Sequence, residues 1–228
     1  MGLLENQRQE RIDRIMETAR RMIAERGYEG VNMRDLAAAS RVSVPTLYNL
    51  CGDKAELLSR SMQGQFSTLL KTIDRETRTK GLDRVISIVT RCSSEMLRLS
   101  RYSRAVLDVF VNSGQMREVS EMIAGALARD IENALHEMKS SREIEAWVDP
   151  RILSEQVASH LIICALQWES GYLSDKALPA SMLYGSCLML RGVAAGPAAR
   201  VLEKRIRTVQ ADAYSEKPAR RQPASRTS

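Results

Sequence analysis

The chain has 228 residues, 44% hydrophobic and 27% charged, with a formal net charge of +6; this is the balance of a globular protein of one or two domains with a real core. No run of about 18 apolar residues is present, which argues against a membrane span, and the polar start Met1-Gly2-Leu3-Leu4-Glu5 is unlike a secretion signal, so a cytoplasmic protein is expected. Cys51, Cys92, Cys164 and Cys187 are scattered without paired spacing, which predicts reduced thiols, no metal site and no cofactor.

Aromatic residues make up 4% of the chain while Ala, Leu, Met and Arg abound, a mixture that favours helix over sheet. A first helix is predicted over 7–26, with Ile12, Ile15, Met16, Ala19, Met22 and Ile23 at helical spacing. Gly27 stops it, and Tyr28 can fold back on Ile23. Two very short helices follow, near 33–39 and 44–50. Asn32 caps the first, with Asp35 as its box partner and Val31 and Leu36 as a hydrophobic staple. Ser43 caps the second, with Val42 and Leu47 as the staple and Pro45 in the first turn, where a missing N–H is harmless. Asp53 and Glu56 form the same box at the start of a longer helix over 54–73.

Gly81 predicts a break before a helix over 82–100, then helices over 101–112 and 117–139. The polar segment 140–149 reads as a loop apart from Trp147. Pro150 opens a helix to Glu169 that Gly171 stops. The next runs from Lys176 or Pro179 to Ala195, where Gly196-Pro197 ends it. A last helix spans 198–211, and the basic, Pro-containing residues beyond it predict disorder. The expected fold is all-α, with a three-helix helix-turn-helix domain over 1–53, a helical regulatory domain over 54–212 and a tail over 213–228.

Helices as short as 33–39 and 44–50 are not stable alone and must be clamped by their neighbours. The second is too polar to be mainly core, which suggests insertion into a DNA major groove. Val44, Pro45, Thr46 and Asn49 fall on its outward side. Thr can touch a thymine methyl or hydrogen-bond, and Asn can pair bidentately with adenine. Lys54 and Arg34 each sit in a first helical turn, where the dipole disfavours a cation; a phosphate there reverses the sign. A plain solvated lysine is the other reading of Lys54. Bulk charge does not decide the matter. Residues 1–58 hold nine basic and nine acidic side chains, and most of the excess lies beyond residue 199, where eight basic face three acidic. Arg220, Arg221 and Arg226 suit either nonspecific phosphate attraction or a solubilising terminus.

The segment from Arg11 through Leu58 resembles the DNA-binding domain of the tetracycline-repressor (TetR) family. The resemblance rests on the Ile15–Ala19 stripe, Gly27-Tyr28, Arg34-Asp35-Leu36-Ala37, Val42-Ser43, Pro45-Thr46-Leu47-Tyr48 and Lys54. Two positions depart from the family pattern. Arg41 stands where a turn glycine is usual, which requires a left-handed arginine or a looser turn. Cys51 replaces a bulkier residue and reads as a small buried hydrophobe rather than a redox sensor. The resemblance implies that Arg34, Ser43, Val44, Pro45, Thr46, Tyr48, Asn49 and Lys54 face DNA. Tyr48 then meets a phosphate, or packs half-buried, and Arg34 reaches a guanine edge or a phosphate.

The resemblance further implies a homodimer on a palindromic double-stranded DNA operator, built from the two helices flanking Gly171, whose small residues Ala180, Gly185, Gly192 and Ala194 permit close approach. An intramolecular core is the alternative use of those residues. It also implies an inducer pocket, for which Met96, Tyr102, Leu107, Phe110, Met122, His160, Cys164 and Trp168 are the candidate lining. Gln156, His160, Cys164 and Trp168 form one stripe, and Leu153, Val157 and Leu161 another; one is expected to face the pocket, the other the core or the mate. Core packing competes with ligand contact at each of these residues, most strongly at His160. Few charges lie on these faces, so a small, largely apolar ligand is expected.

The expected function is a ligand-responsive transcriptional regulator, a repressor by family habit. The alternative is a helical protein-interaction module that keeps the helix-turn-helix as scaffold. Enzymatic activity is not expected: two histidines, His136 and His160, no nucleophile elbow and no Gly-rich phosphate loop are present.

Overall fold

A computed structural model describes residues 3–77, 79–112 and 116–213. Ten helices account for nearly all of them: α1 (Leu3–Arg26), α2 (Met33–Ala39), α3 (Val44–Cys51), α4 (Lys54–Thr77), α5 (Gly81–Arg98), α6 (Ser100–Asn112), α7 (Met116–Ser140), α8 (Pro150–Glu169), α9 (Ala177–Arg191) and α10 (Gly196–Ala213). The all-α expectation is met. None of the helices is long and apolar enough to cross a membrane. The tail from residue 214 lies outside the described residues.

Local chemistry sets most boundaries. Gly27, at φ 71°, closes α1 with its N–H on the Ile23 carbonyl at 2.9 Å. Ser43 caps α3 by accepting from the Thr46 N–H at 3.3 Å. Asp53 and Glu56 form the reciprocal box at α4, at 2.8 and 3.1 Å. At α2 only half of the expected box forms. Asn32 accepts from the Arg34 N–H at 2.8 Å, whereas the Asp35 carboxylate lies 3.7 Å from the Arg26 guanidinium. A cation at the end of α1 outcompetes a backbone N–H for that carboxylate.

Several boundaries differ from the sequence expectation. The first helix begins at Leu3, and α4 continues to Thr77. The ninth helix ends at Arg191, because residues 193–195 leave it to pair with the segment after α7. There Glu145 N–H donates to Val193 O at 2.9 Å, Ala195 N–H donates to Glu143 O at 2.8 Å, and Ile144 and Ala194 form an antiparallel bridge. Segment 140–149 is thus more than a polar loop; Ile144 and Val148 are buried. Gly196-Pro197 opens α10 instead of closing α9, with Gly196 at φ 54°.

Two apolar cores result. The first joins α1–α3 to the start of α4 through Ile15, Ile23, Leu36, Leu47, Cys51 and Leu58. It also takes in Tyr102, Val106 and Val109 of α6. The second unites α5 and α7–α10 around Ile88, Leu135, Val157, Trp168 and Leu190. Arg84 of α5 and Asp130 of α7, 2.9 Å apart, form an ion pair at the edge of the second core.

Candidate DNA-reading face and inner cavity

The turn between α2 and α3 shows how the chain manages without the usual glycine. Arg41 adopts φ 55°, a left-handed conformation strained for a side chain with a Cβ. The turn is held from both ends: Arg41 N–H reaches Ala38 O at 3.1 Å and Val42 N–H reaches Ala37 O at 3.0 Å. Arg14 of α1 donates its Nε to the Ser40 carbonyl at 3.0 Å. At the far end of α3, Arg60 donates to the Leu50 carbonyl at 2.6 Å, a cation at a helix C-terminus, where the dipole favours it. Sequence reasoning missed both arginines, because nothing in their spacing reveals a carbonyl reached across the fold.

The short reading helix is clamped as its size requires. Leu47 and Cys51 are wholly buried, and Leu50 and Val42 pack partly against the same core. Burial pushes the Cys51 thiol up, in keeping with a small core residue. On the outer side, Pro45, Asn49 and Tyr48 are exposed, Tyr48 by 47%. Thr46 is half-buried and its hydroxyl lies 2.7 Å from that of Ser43. Val44 is less outward than expected: it is half-buried and packs against the first core.

Arg34, Val44, Tyr48 and Lys54 line one open cleft of about 740 Å³, together with the loop from Glu29 to Met33. Ser43, Pro45, Thr46 and Asn49 lie outside its lining, farther around α3. Lys54 is neither bare nor freely solvated. Its ammonium donates to the Glu29 carbonyl at 3.2 Å, lies 3.6 Å from the Glu29 carboxylate and sits 4.4 Å above the Tyr28 ring. Burial pushes the Tyr28 hydroxyl up, so the ring stays neutral. Tyr28 and Glu29 therefore fix where the Lys54 charge stands. Lys54–Glu29 and Arg26–Asp35 are ion pairs within the segment 1–58, whose nine basic and nine acidic side chains balance.

A second feature lies inside the helical body. A cavity of about 150 Å³ is walled by Met62 and Gln65 of α4, Cys92, Glu95 and Met96 of α5, and Leu99 between α5 and α6. Tyr102, Ser103, Val106 and Leu107 of α6, Leu127 of α7, Leu161, Ile162 and Ala165 of α8 and Met182 of α9 complete it. Of the expected lining, Met96, Tyr102 and Leu107 are there. The side chains of Phe110 and Met122 lie outside the described residues.

His160, Cys164 and Trp168 are not in the wall; the Leu161–Ala165 side of α8 faces the cavity. The reason is polar. His160 Nε2 lies 3.2 Å from the Ser181 carbonyl of α9, and the Cys164 sulfur is 3.7 Å from the same nitrogen. Gly185 of α9 leaves room for that ring: a Cβ there would come within 2.3 Å of the imidazole. Gly185 thus serves packing within the chain, while Gly192 caps α9. Trp168 is fully buried and donates its Nε1 to Asp175 at 2.7 Å, with the Arg104 guanidinium 4.0 Å over its ring. Arg104 also donates to the carbonyl of Trp168 at 2.7 Å and to Asp175 at 3.1 Å.

Sequence reasoning passed over Met62, Gln65, Cys92 and Leu127. Glu95 carried a legible signal, a carboxylate beside the apolar stripe of α5. Among the described residues, no group of three or more His, Cys, Asp or Glu could hold a metal ion.

The structure thus sets a helix-turn-helix head on a helical body with an inner cavity. Residues 15–60 match the family model of bacterial regulatory proteins, tetR family. No curated protein sequence gives a significant match. Among solved structures, a TetR-family transcriptional regulator from Pectobacterium atrosepticum is 24% identical with a TM-score of 0.60, over 86% of this chain and 100% of that one. The transcriptional regulator FadR from Bacillus subtilis, in complex with stearoyl-CoA, is 17% identical with a TM-score of 0.63, over 79% and 98%. RolR, in complex with resorcinol, is 20% identical with a TM-score of 0.57, over 89% and 96%. These likenesses show the fold of the body, and the match over residues 15–60 shows an N-terminal domain like that of bacterial regulatory proteins of the tetR family.

Proposed function

We propose that the protein is a homodimeric transcriptional repressor that binds a palindromic operator and is released by a small, largely apolar ligand in the inner cavity. The observation that carries this reading is the double duty of α6. Tyr102 and Val106 belong both to the cavity wall and to the core under the reading helices. A ligand that reshapes one side of α6 therefore biases the packing of the other, which is the requirement for coupling two sites. FadR with stearoyl-CoA and RolR with resorcinol support a ligand site in a body of this fold.

In this reading Arg34, Tyr48 and Lys54 hold phosphates or a guanine edge around the cleft. Ser43, Val44, Pro45, Thr46 and Asn49 face the bases. Two copies associate through α8 and α9, where Ile152, Ile163 and Leu188 are exposed by 52%, 53% and 45%. Pairing half-sites compensates for the weakness of one small reader. A gel shift of the full chain on its own upstream DNA, across salt concentrations, tests the proposal. Salt-sensitive, sequence-selective binding is expected; binding to protein partners without any selective DNA binding would favour an interaction module instead.

A further inference from the structure

We propose that Arg41, in the turn between α2 and α3, holds a DNA phosphate, with Arg14 of α1 as a second cation beside it. The inference rests on the reading of α3 as the DNA-reading helix and adds a contact outside the Lys54 cleft.

Charge is the first argument. The nine basic and nine acidic side chains of residues 1–58 balance in number but not in place. Arg8, Arg20, Arg26 and Lys54 each stand in an ion pair with a carboxylate. Arg41 is exposed, and its side chain has no hydrogen-bond or ion-pair partner among the described residues. Arg14 is exposed too. Its Nε donates at 3.0 Å to the Ser40 carbonyl, on the peptide that joins Ser40 to Arg41, and it pairs with no carboxylate among the described residues. Two cations without a counter-charge thus stand at one turn, where an anion lowers the energy of both. Arg41 lies two residues before Ser43, the cap that opens α3, so the anion brought to this place by a bound duplex is a backbone phosphate.

Backbone geometry is the second argument. Arg41 holds φ 55°, a conformation that glycine takes without strain. Strained residues of this kind persist where the surroundings hold them, and they cluster at functional sites. Strain alone does not single out Arg41, because Arg142 has φ 60° after the end of α7. Place separates the two. Arg41 adjoins the cap of the reading helix, whereas Arg142 precedes the segment 143–145, which pairs with 193–195 in the body. At the turn itself the N–H groups of Arg41 and Val42 are occupied by the Ala38 and Ala37 carbonyls. An anion there is therefore met by the guanidinium, whose fork of donors suits a phosphate.

The test is a gel shift of full-length variants on the selected operator and on unrelated duplex, across salt concentrations, beside thermal unfolding. Arg41→Gly removes the charge and the strain. Arg41→Gln removes the charge and keeps the Cβ. Arg142→Gly removes the same kind of strain in the body. Both glycine variants should melt about 2–4 °C above wild type. Both Arg41 variants should bind all sequences alike more weakly, about fivefold per contact at physiological salt, with the salt dependence flattened by about 0.9 per contact. Arg142→Gly should bind as wild type. Wild-type binding by both Arg41 variants, a loss confined to Arg41→Gly, an equal loss in Arg142→Gly, or a lower melting temperature in Arg41→Gly would overturn the proposal. So would a changed base preference with an unaltered salt dependence. A wild-type chain that binds operator selectively while the Arg41 variants match it loses only this contact. A wild-type chain without selective DNA binding loses the regulator reading and this contact with it.

Discussion

The Tyr102 hydroxyl of α6 and the Ser61 hydroxyl of α4 lie 2.9 Å apart, both buried. Tyr102 belongs to the cavity wall, and Ser61 sits one residue from Met62, which belongs to both the wall and the reading-domain core. The bond ties α6, which is shared by the cavity wall and the reading-domain core, to α4. Tyr102→Phe removes one partner and strands the other, at about 1–3 kcal/mol. Urea unfolding should show that loss. Operator binding without ligand should stay within a few-fold of wild type, while the ligand concentration needed for release should rise. An unchanged release curve would remove Tyr102 from the coupling route.

Glu29 places a carboxylate in a cleft proposed to receive phosphates, and it pairs there with Lys54 at 3.6 Å. Glu29→Gln should therefore strengthen binding to all DNA sequences alike. Lys54→Ala should weaken binding to all sequences alike and flatten the salt dependence. Asn49→Ala should instead change sequence preference, at about 1–3 kcal/mol for the affected base pair. Operator selection with each variant separates these outcomes.

Gly185 gives His160 its place between α8 and α9. Gly185→Ala forces the imidazole aside and should destabilise the fold by about 1–3 kcal/mol. Removing the ring as well, in Gly185→Ala with His160→Ala, should recover part of that loss. Thermal unfolding of the two single variants and the pair measures the coupling.

Two carboxyls give the pH dependence a sign. Hydrogen bonds from Trp168 and Arg104 hold Asp175 below its usual range, and Arg98 does the same for Glu95. A lowered folded value means stability that is complete above the ordinary carboxylate range and lost as pH falls through the lowered values. Unfolding free energy should therefore decline on acidification below about pH 4.5, the ordinary value for Glu. The decline should be shallower in Asp175→Asn, followed by urea titration at several pH values.

Ile163 and Leu188 stand exposed on the two helices proposed to pair. Ile163→Glu should buries a charge only if that face is covered by a mate. Sedimentation should then show monomers, and operator affinity should fall with the loss of the second half-site. A variant that remains dimeric would move the interface elsewhere.

The reading head was the most legible part of the chain, because its signals are local. Caps at Ser43 and Asp53, the stop at Gly27 and the buried Leu47 all follow from residues within a turn or two of one another. The cavity was half legible. Met96, Tyr102 and Leu107 were found, but spacing cannot tell which of two adjacent stripes on α8 turns inward. That choice fell to partners distant in sequence: Ser181 for His160, and Asp175 and Arg104 for Trp168. Likewise, small residues on α9 announced close approach, yet whether to α8 or to a mate depended on where the His160 ring lay.

What the sequence determined by itself was the helices, their caps and the kind of head they build, since helix limits depend on neighbouring side chains and on backbone groups left unpaired at the ends. Tertiary structure alone decided that Lys54 is pinned by Tyr28 and Glu29, that Arg14 and Arg60 brace the reading helix, and that α6 is shared by both cores. Each of these joins groups brought together by the packing of whole helices, and no local pattern records which buried polar group will find which partner.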